Sequence, residues 1–167
     1  MNNRTLFVIR GVPGTGKSTL ARKIAGRNIA SADDFFMQIN SDGDEVYNFQ
    51  PAQLGNARRN CQYRISQMMS RGVSPIAVHD HFLKNCDWEP YVRLCSTHGY
   101  TPFVIACSSV LDKDKNFTDD VLQRMKNDFE FDFFENQQNL DCDTAGNEVV
   151  CPATRAMTAR MRLVTED

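Results

Sequence analysis

The first stretch able to do chemistry is Gly11-Val12-Pro13-Gly14-Thr15-Gly16-Lys17-Ser18, with Thr19 directly after it. It satisfies the pattern G-x-x-x-x-G-K-[ST] at every position. Glycines allow the backbone to curl until several N–H groups point at one set of phosphate oxygens. A helix opening at Lys17 adds the partial positive charge of its N-terminus. Lys17 is a cation on a long stem, able to reach β- and γ-phosphates, and Ser18 offers a hydroxyl to Mg²⁺. The residues from Gly11 to Thr19 are therefore expected to hold a nucleoside triphosphate. The motif leaves the reaction open.

A second candidate is Ser31-Ala32-Asp33-Asp34-Phe35-Phe36. A carboxylate close to a γ-phosphate can accept the proton of an attacking hydroxyl. Equally, Ser31 or Asp33 can cap a short helix carrying the two phenylalanines. The residue types alone leave both open, and capping by one acid does not exclude catalysis by the other. His79-Asp80-His81 places two histidines on the same side of an extended segment, where they could share a metal ion, or it is the polar end of a strand. Arg58, Arg59, Arg64 and Arg71 read either as a solvated helix face or, for the first two, as contacts to an acceptor phosphate. The aromatic cluster from Phe129 to Phe134 could stack on bases, but its acidic neighbours favour packing on the sheet.

These residues need a frame. Leu6–Ile9 is a short apolar run ending in a glycine loop, as a buried parallel strand does. Residues 17–26 predict a helix with Leu20, Ala21 and Ile24 on one face, stopped at Gly26. Residues 28–31, 75–78 and 102–107 predict further strands. Residues 40–51 are polar, with turn chemistry at Ser41-Asp42-Gly43-Asp44. Pro51 opens a long helix to about Arg71, and Trp88–His98 a shorter one. Thr118 is the expected N-cap of a helix from Asp119 to about Asn136, with two acids in its first turn. Residues 143–147 read as a turn and Met161–Val164 as a last strand. Strands separated by helix-length segments imply an α/β fold with a parallel sheet, whose ligands sit at the carboxyl ends of the strands.

Composition fits this frame. The 167 residues are 41% hydrophobic and 24% charged, which excludes disordered and fibrous classes. No apolar run is long enough to span a membrane and no secretory leader is evident, so a cytoplasmic location is expected. The net charge of -2 excludes a globally basic nucleic-acid binder. Residues 1–110 nevertheless hold 12 Lys+Arg against 8 Asp+Glu, leaving room for a local basic groove. The six cysteines include no C-x2-C pair, so reduced thiols rather than structural zinc are expected.

Taken in order, Gly11–Arg22, Ser31–Phe36 and Tyr47–Arg58 resemble the P-loop kinase group that includes the kinase domain of phage polynucleotide kinase and its ATPase-like relatives. The resemblance covers roughly residues 5–135. It implies a P-loop NTPase fold, mainly parallel sheet flanked by helices, in a single domain. Residues 1–136 would form the kinase-like domain and residues 137–167 an extension packed on it. It also implies ATP as donor, Mg²⁺ as metal, and nucleic-acid 5′-hydroxyl ends as acceptor. In these terms Lys17 stabilises the transferring phosphoryl group, Asp33 is the general base, and Ser18 holds the metal with help from Asp80. Three departures stand out. Phe36 occupies the place of an acceptor-contacting arginine. His79, rather than Asp80, aligns with the usual acid at the end of the third strand. The lid, Val110–Phe117, carries Lys113 and Lys115 but no arginine, leaving Arg124, Arg155, Arg160 or an arginine from a partner as substitutes. A kinase acting on a small-molecule or nucleotide hydroxyl, and a non-catalytic nucleotide-binding module, are the alternative readings. Oligomeric state is not legible.

Overall fold

The structure, a computed structural model, describes residues 4–108 and 117–129. The expected turn at 143–147, the strand at 161–164, the extension 137–167, most of the lid, and Arg155 and Arg160 lie outside the described residues.

Four parallel strands form the sheet: β1 (Thr5–Gly11), β2 (Ile29–Ala30), β5 (Ile76–Asp80) and β6 (Thr101–Cys107). Their order is β2-β5-β1-β6. Between them in sequence lie β3 (Met37–Ile39) and β4 (Glu45–Tyr47), which pair antiparallel as a separate hairpin. The helices are α1 (Lys17–Ala25), α2 (Leu54–Ser70), α3 (Asn85–His98) and α4 (Asp119–Asn127). This is a single α/β domain with helices on both faces of a mainly parallel sheet, as the alternation of elements predicts.

Alternation along β1 sorts its side chains between two cores. Ile9 packs with Ala21 and Ala25 of α1 and with Ala77 of β5. Leu6 and Val8 pack on the opposite face with Ile65 of α2, Tyr91 of α3, and Ile76 and Val78 of β5. Burial on both faces explains why the central strands read as short continuous apolar runs.

Local expectations are corrected in four places. The long helix begins as a 3-10 turn at Pro51–Gln53 before α2 proper. The α3 helix starts at Asn85, three residues before Trp88, where Lys84 N–H donates to Asp87 Oδ2 at 3.1 Å. Thr118 occupies the N-cap position of α4, yet its side chain makes no capping hydrogen bond. The α4 helix stops at Asn127 rather than Asn136, because Phe129 turns inward onto Arg10.

Among the described residues Arg10 is the largest fully buried side chain, at 0% exposure, one residue before the glycine loop. Its guanidinium donates to Leu83 O at 2.8 Å and to Asn85 Oδ1 at 3.3 Å. Its Cζ lies 4.2 Å from the centroid of the Phe129 ring. A buried cation of this kind is tolerated only when hydrogen-bonded. Here it ties β1 to the loop entering α3 and to the residue beyond α4.

Candidate active site

The glycine loop leaves β1 where the sheet ends. Gly11 N–H donates to His81 O at 3.1 Å, and a Cβ at Gly11 would lie 2.5 Å from Cys107 O. The backbone is thus wedged between the ends of β5 and β6, a space only glycine fits. Gly14 and Gly16 adopt positive φ values of 80° and 76°. Gly16 is the N-cap of α1, whose first turn contains no acidic residue to offset its dipole. Val12, Pro13 and Thr15 are buried, and Thr15 Oγ1 donates to Val12 O at 2.8 Å, bracing the loop from within. Lys17 Nζ donates to the same carbonyl at 2.8 Å. Ser18 and Thr19 are exposed on the first turn of α1. The loop is curled and carries its cation folded against itself, a form suited to taking up an anion.

At the end of β2 a short 3-10 turn, Ala32–Phe36, carries the two acids. Ser31 is its N-cap. Ser31 Oγ accepts from Asp33 N–H at 3.2 Å, and Asp34 Oδ2 accepts from Ser31 N–H at 3.1 Å. Asp34 Oδ2 also meets Arg64 of α2 at 2.7 Å. The capping alternative therefore holds for Ser31, and the acid that completes the cap is Asp34 rather than Asp33. The Asp33 carboxylate takes no part in the cap. It is exposed, and its Oδ1 accepts from the Tyr47 hydroxyl at 3.1 Å. Burial, then the Asp33 charge and this hydrogen bond, push the Tyr47 hydroxyl up to about 12, so it remains a donor at neutral pH.

His79 and Asp80 end β5 and diverge. His79 pairs with Ile9 and lies on the α1 face, whereas Asp80 pairs with Arg10 and lies on the opposite face. Burial lowers the pKa of His79, favouring its neutral form. Burial raises the Asp80 carboxyl to about 6. The His81 N–H, donating at 2.7 Å, opposes the rise; the Asp33 charge adds to it, and Arg58 and Lys17 subtract. The charges of Asp33, Arg58 and Lys17 thus all bear on Asp80. His81 instead sets its ring edge-on to Phe117 at 5.9 Å. Among the described residues no three His, Cys, Asp or Glu side chains converge as a metal site, so the histidine pair gains no third ligand there.

Phe36 is 2% exposed and belongs to the core, so its side chain does not occupy an acceptor-contacting position. Arg58 lies 3.6 Å from Asp87 with about half its side chain exposed. Arg124 is exposed on α4. The residue that sequence reasoning missed is Tyr47. Its partner Asp33 is fourteen positions away, and only the hairpin brings them together. The available signal was its place in Tyr47–Arg58, one of the three segments by which the sequence resembles P-loop kinases.

Residues 6–113 match the family model described as AAA domain. The chain belongs to this AAA domain family. Human NEDD4-binding protein 2 is 36% identical over 99 residues, covering 57% of this chain and 5% of that protein. The AAA domain chain thus spans a small fraction of that relative's length. Among solved structures, a sugar kinase from Janibacter sp. aligns with a TM-score of 0.51 at 19% identity, covering 76% of this chain and 78% of its own. At that identity the likeness is one of fold. An APS kinase from Mycobacterium tuberculosis aligns with a TM-score of 0.47 at 14% identity, covering 75% of this chain and 94% of its own. No described helix is long and apolar enough to cross a membrane.

Proposed function

We propose that this AAA domain is a Mg²⁺-dependent phosphotransferase that moves the γ-phosphate of ATP to the 5′-hydroxyl end of a polynucleotide. One observation carries the reading. Of the two adjacent acids facing the phosphate loop's end of the sheet, Asp34 is consumed by the cap and by Arg64, while Asp33 stays exposed with one oxygen oriented by Tyr47. A base needs that combination of fixed position and free lone pairs.

In this reading the loop N–H groups and the α1 terminus bind the triphosphate, and Lys17 exchanges the Val12 carbonyl for phosphate oxygens. Asp33 takes the proton of the acceptor hydroxyl as that oxygen bonds to the γ-phosphorus. The bond from this phosphorus to the β–γ bridging oxygen breaks, and ADP leaves. In this reading Ser18 would offer a hydroxyl and Asp80 a mostly buried carboxyl, hard oxygen donors of the kind Mg²⁺ takes. When bound there, Mg²⁺ offsets the charge on the β- and γ-phosphate oxygens.

The test offers γ-labelled ATP and Mg²⁺ with 5′-hydroxyl DNA and RNA oligonucleotides. Label is expected on the 5′ end. It should fall by at least about a hundredfold in Asp33→Asn, with ATP affinity largely retained. In Lys17→Ala both ATP affinity and transfer should fall. Undiminished transfer by Asp33→Asn would remove Asp33 from its role. A second reading, a small hydroxyl acceptor, is favoured by one observation: Phe36 is buried where a polynucleotide kinase would present a cation. Transfer to small sugars or nucleosides, with none to oligonucleotides, would select it. ATP binding without transfer to any acceptor would select a non-catalytic module.

A further inference from the structure

Six of the eight large apolar side chains exposed among the described residues belong to one region: Phe35, Met37, Ile39, Val46, Tyr47 and Phe49. Exposed apolar residues scattered singly need no explanation, but a contiguous cluster beside a reactive group does. Within this cluster Tyr47 and Phe49 are alternate residues on an extended segment, so their rings project to the same side. The ring planes lie within 11° of parallel, with centroids 6.4 Å apart. Phe36, buried beneath them, meets Tyr47 edge-on at 6.1 Å and Phe49 at 5.0 Å. The two rings are thus braced from the core side, while Tyr47 remains 49% exposed and Phe49 47%.

A pair of flat, pre-positioned aromatic rings binds another flat ring at low entropic cost. A saturated sugar or a flexible aliphatic chain gains much less from such a surface. Its position is also specific. The Tyr47 ring ends in the hydroxyl that bonds Asp33 at 3.1 Å. A base stacked on this platform would therefore lie about one sugar away from the carboxylate, as the base of a terminal nucleoside lies from its own 5′-hydroxyl.

We infer that Tyr47 and Phe49 form a stacking subsite for the first base of the acceptor. The inference rests on the polynucleotide reading above and deepens it: the acceptor is recognised through the base of its terminal nucleoside.

The test uses the full chain and a 5′-hydroxyl oligonucleotide whose first base is 2-aminopurine, a fluorophore quenched by stacking. A twin oligonucleotide carries an abasic first residue. Wild-type protein should quench the fluorophore on binding. Phe49→Leu should abolish the quenching and weaken binding about tenfold, the scale of one lost base–aromatic stack. It should bind the abasic twin as the wild type does. Phe49→Tyr restores a ring and should restore quenching, which separates stacking from misfolding; unchanged ATP affinity is the folding control. Tyr47→Phe keeps the platform and should also retain quenching. Absence of quenching by the wild type, or equal quenching and affinity in Phe49→Leu, would overturn the subsite. Transfer measured on the same oligonucleotide separates the two readings. Transfer without quenching overturns the subsite alone, and quenching without transfer overturns the phosphotransfer reading alone.

Discussion

Asp33 and Asp34 are adjacent, chemically identical and differently employed. Asp34 accepts from Ser31 N–H and pairs with Arg64, but both ion-pair partners are substantially exposed, at 44% for Asp34 and 40% for Arg64. Such a pair contributes about 1 kcal/mol or less, so its main consequence is to hold the turn against α2. Asp33 is left with its carboxylate outward. Asp80 differs from both because it is mostly buried. Its folded pKa of about 6 exceeds the ordinary 3.8. Between those values the metal-free folded protein binds a proton that the unfolded chain releases. The contribution of Asp80 to stability is therefore full below about 3.8 and is lost as pH rises through about 6. Denaturant unfolding of the ligand-free protein across this window should show that decline, and Asp80→Asn should flatten it. An identical slope in both proteins would show that Asp80 does not titrate this way.

The 3-10 turn and the β3–β4 hairpin act as one unit. Asn48 N–H donates to Phe36 O at 2.9 Å, closing the hairpin back onto the turn. The hairpin's own turn is held by Asn40, whose Oδ1 accepts from Asp42 N–H at 3.0 Å and Asp44 N–H at 2.8 Å. Its turn chemistry is visible in the sequence; its strands are not. Each is three residues long and exposed at every position, so there is no alternation of buried and solvated side chains to read. The unit makes a prediction at its own scale. Ser31→Ala removes the acceptor for Asp33 N–H, which should cost about 1 kcal/mol in urea unfolding. It should also lower kcat, because the backbone of Asp33 loses its anchor. A stability loss with kcat unchanged would show that Tyr47 alone orients the carboxylate.

At the scale of the molecule, the order β2-β5-β1-β6 sets the site. It puts β1 between β5 and β6, so the phosphate loop emerges flanked by His81 on one side and Cys107 on the other. It places β2, with Asp33 just beyond it, on the far side of β5. Arg10 joins this frame to the elements around it. Arg10→Ala leaves a cavity and unmakes bonds to Leu83 O and Asn85 Oδ1, so it should destabilise the fold by about 3 kcal/mol. Chemical denaturation measures the loss. A change below about 1 kcal/mol would mean that the surrounding groups satisfy one another without the cation.

What the amino-acid order carries unaided is local. The glycine loop, its strand and its helix are contiguous, and their chemistry follows from residue types at fixed spacing, so Gly11–Thr19 were legible before any fold. The α/β class follows equally from apolar runs separated by helix-length segments. The division of labour between Asp33 and Asp34 was not legible, because two adjacent acids differ only in what surrounds them. Nor was the partnership of Tyr47 with Asp33, the brace of Phe36 behind two rings, or the burial of Arg10 at the end of an apolar strand. Those depend on which distant segments the fold brings into contact. A hydrogen bond or a stacked ring acts over a few ångströms, whatever the separation along the chain.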